Sequence, residues 1–146
     1  MALTDAVGAG PVGIDTALVI YLIEEHPQFL PLVRPSFADA DAGRRRLVTS
    51  AVTLLEVLVV PYRAGNRALA ARYEALLTNS RGLRLVDVDH AQLRAAAQLR
   101  AAYGLRAPDA LQVAAAMTEG CEVFVTNDRA LRSVPGLDVI QLARHL

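Results

Sequence analysis

The chain has no lysine and no tryptophan, and only one cysteine among its 146 residues. Without lysine it has no phosphate-binding P-loop. Phosphotransfer sites that pair an aspartate nucleophile with a lysine are excluded in the same way, and the first candidate acid, Asp15, is followed by Thr-Ala rather than by a second aspartate two residues on. With Cys121 alone, no intrachain disulfide can form, which fits a reducing, cytoplasmic setting. A lone cysteine before an apolar run reads as a small core residue. The longest apolar run is broken by Glu56 and stops at Pro61, too short to span a bilayer. The opening MALTDAVGAG has neither a basic region nor a long apolar stretch, so no signal peptide is expected. His26, His90 and His145 stand at no metal-ligand spacing, and no Ser-His-Asp arrangement can be argued from the order of residues.

What remains is an apolar chain with balanced charge. Hydrophobic residues make up 53%, enough to bury a full core, and the length suits one domain over residues 1–146 with a core at about 12–142. Fifteen arginines balance fifteen acids, so net charge says nothing about partners. Setting aside four unusual acids leaves a surplus of four positive charges on the rest of the chain. Arg44, Arg45 and Arg46 are the densest basic run, read either as a solvated loop or as a salt-sensitive phosphate contact.

Strand-like runs alternate with helical patterns. Strands are predicted at residues 12–15, 46–49, 83–88, 122–126 and 139–142. Helices are predicted at 16–25, from Ser50 as cap to about Tyr62, at 67–77, from the Asp89/Gln92 capping box to Tyr103, from Pro108 to near Gly120, and briefly at 128–132. Residues 27–43, with three prolines, read as a loop carrying a short helix. This alternation predicts a three-layer α/β/α domain around a mainly parallel sheet.

The unusual acids are Asp15 in PVGIDTALVIYLI, Glu56 in SAVTLLEVLVV, Asp109 in APDALQVAAAM and Asp128 in VFVTNDRAL. An unpartnered buried carboxylate costs several kcal/mol, roughly, so such groups are kept only with a partner. Within these segments only Arg129 stands beside an acid, which leaves a divalent cation as the natural partner of hard oxygen ligands. Each acid also has an ordinary role open to it: Asp15 as a helix cap, Asp109 as a complement to a helix dipole, Asp128 as a turn residue. Glu56, in the middle of an apolar helix, has none, and is expected to be shielded from bulk water. In a parallel sheet, sites form beyond the carboxyl ends of the strands, and Asp15 and Asp128 both follow strands there.

Asp15-Thr16, the segment from Ser50 to Glu56, Pro108-Asp109-Ala110-Leu111 and Thr126-Asn127-Asp128-Arg129, in this order, resemble the PIN-domain ribonucleases, and most closely the VapC-type toxins of bacterial toxin–antitoxin pairs. The resemblance runs from about Val12 to Leu142. It implies a Mg²⁺- or Mn²⁺-dependent endoribonuclease that forms a homodimer and is held inactive by a small antitoxin. Asp15, Glu56, Asp109 and Asp128 match the family's acidic quartet, with Thr16, Thr126 and Asn127 in support. Two departures stand out: relatives often carry an acid and a phenylalanine where this chain has Ala130 and Leu131, and a threonine where it has Ala114 to Ala116. The first removes a candidate ligand for a second ion. Two rival readings follow: a PIN nuclease of RNA processing without an antitoxin, and a catalytically silent metal-binding interaction domain.

Overall fold

The computed structural model describes residues 2–146. Its centre is a five-stranded, all-parallel sheet in the order β3-β2-β1-β4-β5. The strands are β1 (Val12–Ile14), β2 (Leu47–Ser50), β3 (Leu83–Val86), β4 (Val123–Thr126) and β5 (Asp138–Gln141). Helices α1 (Leu3–Ala6), α2 (Thr16–Ile23), α3 (Leu30–Asp41), α4 (Val52–Arg63), α5 (Arg67–Asn79), α6 (His90–Tyr103) and α7 (Ala107–Thr118) flank it, and a 3-10 turn, Leu142–His145, follows β5. The expected α/β architecture is present, and its sheet is parallel throughout.

Strand alternation sorts the core into two sides. Val12, Ile14, Leu47, Leu83 and Val125 pack with Val19, Val33, Val57, Tyr73 and Leu77 from the helices. Their neighbours Val48, Val86 and Phe124 pack with Val113, Ala115, Ala116, Leu131 and Leu137. Gly13 lies in register with Val48 and Phe124. A Cβ there would come within 2.6 Å of the Phe124 ring, so the glycine gives that ring its space. Ala96, Ala110 and Ala114 form a smaller cluster between α6 and α7. Cys121 is buried, and burial pushes its thiol up to about 11, as expected of a core residue.

Local signals account for most helix ends. Asn66 accepts from the Leu69 amide at 3.1 Å, and Asp89 caps Gln92 at 2.8 Å. Gly65 and Gly104, both at φ +68°, end the helices before them.

Three expectations are corrected. Residues 27–43 hold a full helix of 12 residues, α3, rather than a loop with a short one. Pro31 falls in its first turn, where no amide donor is needed, and Val33, Ser36 and Ala40 bury one face, which outweighs the bond lost at Pro35. The helix predicted at 128–132 is a turn, closed by the Ala130 amide donating to Oδ1 of Asp128 at 2.9 Å. The cap position of α4 is Ala51, although the Ser50 hydroxyl accepts from the Val52 amide at 3.2 Å. No helix among the described residues is long and apolar enough to cross a membrane.

Candidate active site

The chain leaves β1 toward β2 on one side, while β4 and β5 extend the sheet on the other. The carboxyl ends of β1 and β4 therefore flank the point where the strand order reverses, the usual crevice of an open parallel sheet. Asp15 follows β1 directly and caps α2, its Oδ1 accepting from the Thr16 amide at 2.8 Å. Its Oδ2 accepts from the hydroxyl of Thr126, the last residue of β4, at 2.6 Å. The same hydroxyl accepts from the Asp128 amide at 3.0 Å, so Thr126 ties both aspartates to one strand end. Asn127 donates to the Tyr21 hydroxyl at 3.0 Å and pins the loop against α2. Burial pushes the Asp15 carboxyl above the usual carboxylate range. The Thr126 hydroxyl and Thr16 amide pull it back, and the nearby charges of Asp109 and Asp128 raise it again.

Asp109, in the first turn of α7, faces the same rim, and a residue the sequence reading passed over joins it there. Arg106, the N-cap of α7, donates from Nε to Oδ2 of Asp109 at 3.1 Å and from Nη2 to Oδ2 of Asp128 at 2.8 Å. Arg129, beside Asp128 in sequence, makes no ion pair among the described residues. The signal for Arg106 was its i, i+3 spacing from Asp109, which puts the two side chains on one face of a helix start. The Asp109–Arg106 and Asp128–Arg106 contacts hold that guanidinium more firmly protonated than usual.

Glu56 departs from expectation: it is exposed, because its neighbours Leu55 and Val60 are themselves 66% exposed and give it no apolar shield. Its position is nevertheless fixed, since Oε1 accepts from the Thr16 hydroxyl at 2.8 Å. A buried polar chain stands behind this contact. Gln112 Nε2 donates to Thr53 Oγ1 at 2.7 Å, and the Thr53 and Thr16 hydroxyls lie 3.1 Å apart. With the Thr16 proton committed to Glu56, Thr53 donates to Thr16, and the chain runs from Gln112 outward to the carboxylate. Oε1 of Gln112 accepts from the Ser50 amide at 3.0 Å and lies 3.1 Å from the Thr49 hydroxyl, which locks the amide orientation. Gln112 and Thr53 were not singled out in the sequence, where a glutamine inside an alanine-rich helix gives no sign of its partners.

All four acids thus reach one rim, but they do not form a ready-made cage: among the described residues no three acidic, histidine or cysteine groups converge closely enough to hold an ion as they stand. The donor set still fits a hard divalent cation, since every group is a carboxylate or hydroxyl oxygen, and two of the carboxylates already share a cation in Arg106.

The basic run lies elsewhere. Arg44 pairs with Asp39 at 2.9 Å, Arg45 donates to the Gly8 and Gly10 carbonyls, and Arg46 lies 3.8 Å from Glu119. These residues precede β2, at the opposite end of the strands from the acids, and line a cavity of about 560 Å³ with Arg81. The run therefore stands apart from the acidic rim.

A parallel α/β sheet with carboxylates gathered where its strand order reverses defines the class. A family-wide sequence comparison matches residues 12–137 to the PIN domain, and the chain belongs to that family. Its fold is similar to a chain of the VapBC2 complex from Rickettsia felis bound to a DNA fragment from their promoter, at 17% identity and TM-score 0.68, covering 90% of this chain and 98% of that one. A toxin–antitoxin complex from Klebsiella pneumoniae matches at 18% identity and TM-score 0.65, over 91% and 98% of the two chains. DNA-bound VapBC from Salmonella typhimurium matches at 22% identity and TM-score 0.60, over 91% and 98%. No curated protein matches significantly.

Proposed function

We propose that this chain, residues 1–146 acting as one PIN nuclease domain, is a divalent-metal-dependent endoribonuclease and the toxin of a toxin–antitoxin pair. One observation carries the nuclease reading: Asp15, Asp109 and Asp128 stand at the carboxyl rim beside the reversal of strand order, with Thr126 tying Asp15 to the Asp128 amide and Arg106 bridging Asp128 to Asp109. Asp15, Asp109 and Asp128 would hold Mg²⁺ or Mn²⁺, directly or through water, with Glu56 at the solvent side. When bound, such an ion would supply an acidified water and offset negative charge at the phosphate. Thr126 keeps Asp15 aimed at the rim, and Thr16 keeps Glu56 in place to hold the attacking water and accept its proton. RNA is the substrate class because it is the family's.

The toxin reading rests on the solved complexes of similar fold and on α4. Leu55, Val59 and Tyr62 recur at i, i+4 and i+7, so they form one exposed apolar strip, and Glu56 and Val60 run beside it. A small apolar partner helix seated on this strip would reach the mouth of the site, as an inhibitory antitoxin must. The expected homodimer would use another face, since a mate on this strip would close the site permanently.

The test is cleavage of a total bacterial RNA pool by purified protein with Mg²⁺, with Mn²⁺ and with EDTA, beside the Asp15→Asn/Asp109→Asn double variant. Discrete, metal-dependent fragments absent in the variant are expected. Folded, partner-free protein that leaves every RNA intact would remove the nuclease reading and favour a silent interaction domain.

A further inference from the structure

Arg106 is oddly placed for an ordinary surface arginine. It stands at the N-terminus of α7, where the helix dipole disfavours a cation. Its side chain is 70% exposed, so packing does not hold it. What holds it is a pair of carboxylates from separate segments: Asp109 within its own helix turn, and Asp128 beyond β4, 22 residues along the chain. Both contacts fall on Oδ2 atoms. On Asp128 the other oxygen, Oδ1, already serves the Ala130 amide, so the guanidinium occupies the oxygen left to face the site.

We propose that Arg106 is the resident counter-ion of the acidic rim: it holds Asp109 and Asp128 together without metal and yields their Oδ2 atoms when a divalent cation enters. The inference rests on the metal-dependent reading above. Oδ2 is the one oxygen of Asp128 not held by a backbone amide, so an ion and the guanidinium compete for it, and a guanidinium cannot lose its charge to make room. Entry of the ion and docking of Arg106 on both acids therefore work against each other. Arg106 is on this account a positioning residue. It keeps two like-charged groups from spreading apart in the free protein, and it weakens metal affinity.

The experiment compares Mn²⁺ binding, read as loss of the free-ion electron paramagnetic resonance signal, in the wild type, Arg106→Gln and Arg129→Gln. Arg129 adjoins Asp128 without pairing, so its removal controls for the general loss of a positive charge. Arg106→Gln is expected to bind Mn²⁺ several-fold more tightly, with Arg129→Gln close to wild type. In a parallel Mg²⁺ titration of wild type, the Nε–H resonance of Arg106, assigned by its loss in Arg106→Gln, should shift and saturate with the ion. Equal Mn²⁺ affinity in wild type and Arg106→Gln, or equal tightening in Arg129→Gln, overturns the counter-ion role and leaves the metal site standing. No Mn²⁺ binding by wild type or by Arg106→Gln overturns both.

Discussion

The hydroxyl of Thr126 donates to Oδ2 of Asp15 at 2.6 Å, joining the ends of two adjacent strands across 111 residues of sequence. Thr126 is fully buried, so its oxygen has no water to turn to. Replacing it with valine keeps the shape but leaves Oδ2 of Asp15 without its donor and the Asp128 amide without its acceptor. The cost expected is about 1–3 kcal/mol of unfolding free energy, measured by urea titration. RNA cleavage should fall with it, and Thr126→Ser should recover most of both. Cleavage by a folded Thr126→Val protein at the wild-type rate would show that the hydroxyl does not position Asp15.

Asp15 makes stability depend on pH with a definite sign. Its folded-state value lies above the ordinary 3.8, chiefly through burial. As pH rises past that ordinary value the unfolded chain releases the proton first. It then binds fewer protons than the native state, and stability falls until the folded carboxyl ionises too. Asp15→Asn has no such loss. Its single side-chain oxygen can accept from only one of the Thr16 amide and the Thr126 hydroxyl, a loss that does not vary with pH, so without divalent ions the variant's melting temperature should gain on that of wild type as pH rises from about 3.8 to 7. Saturating Mg²⁺ should favour wild type instead, because only the native site binds the ion. A melting difference in EDTA that stays constant or moves toward wild type as pH rises over that range would contradict the assigned direction. The same variant should be inactive, so stability and function pull apart at this position.

The fold was legible because its signals are local and repeated. Every strand was found to within two residues at either end, and Asp89, Gly65 and Gly104 marked helix limits by chemistry that works over three or four residues. The four acids stood out in the sequence because a carboxylate at the end of a buried strand or inside an apolar run looks costly enough to require a reason. What was not legible depends on the third dimension. Proline density in residues 27–43 argued for a loop, yet burial of Val33, Ser36 and Ala40 overrides it. Glu56 looked enclosed because its helix is apolar on most sides, but hydropathy does not tell a buried apolar face from one left open. The Arg106 bridge and the Gln112 network join residues distant in sequence, and no spacing rule announces such partners.

That network makes a separate prediction. Gln112 is 2% exposed and serves the Ser50 amide and the Thr53 hydroxyl at once. Gln112→Leu fills the volume but leaves the Ser50 amide without its acceptor in the core and takes one donor from the Thr53 hydroxyl, at a cost of about 1–3 kcal/mol. Since the chain continues through Thr53 and Thr16 to Glu56, the loss should not stay local. A double-mutant cycle between Gln112→Leu and Thr16→Val, followed by urea unfolding, should give a coupling of at least about 0.5 kcal/mol. Strict additivity would mean that the two residues act separately and that Glu56 is held by Thr16 alone.

The strip on α4 offers the sharpest test of the toxin role. Leu55 is 66% and Tyr62 63% exposed, so neither side chain contributes much to the folded core. Leu55→Glu/Tyr62→Glu should therefore leave unfolding free energy within roughly 0.5 kcal/mol of wild type. A partner helix, by contrast, would bury both side chains, and fully burying such a residue stabilises a contact by about 1.5–3 kcal/mol. Losing two of them should weaken the complex by roughly 100-fold or more. The measurement is co-purification with the product of any small reading frame found adjacent to this gene, together with protection of RNA by that product. Wild type should be captured and silenced, while the double variant should escape and remain active. If the variant is captured and silenced as well as wild type, the partner sits elsewhere and the proximity of this strip to Glu56 has no part in inhibition.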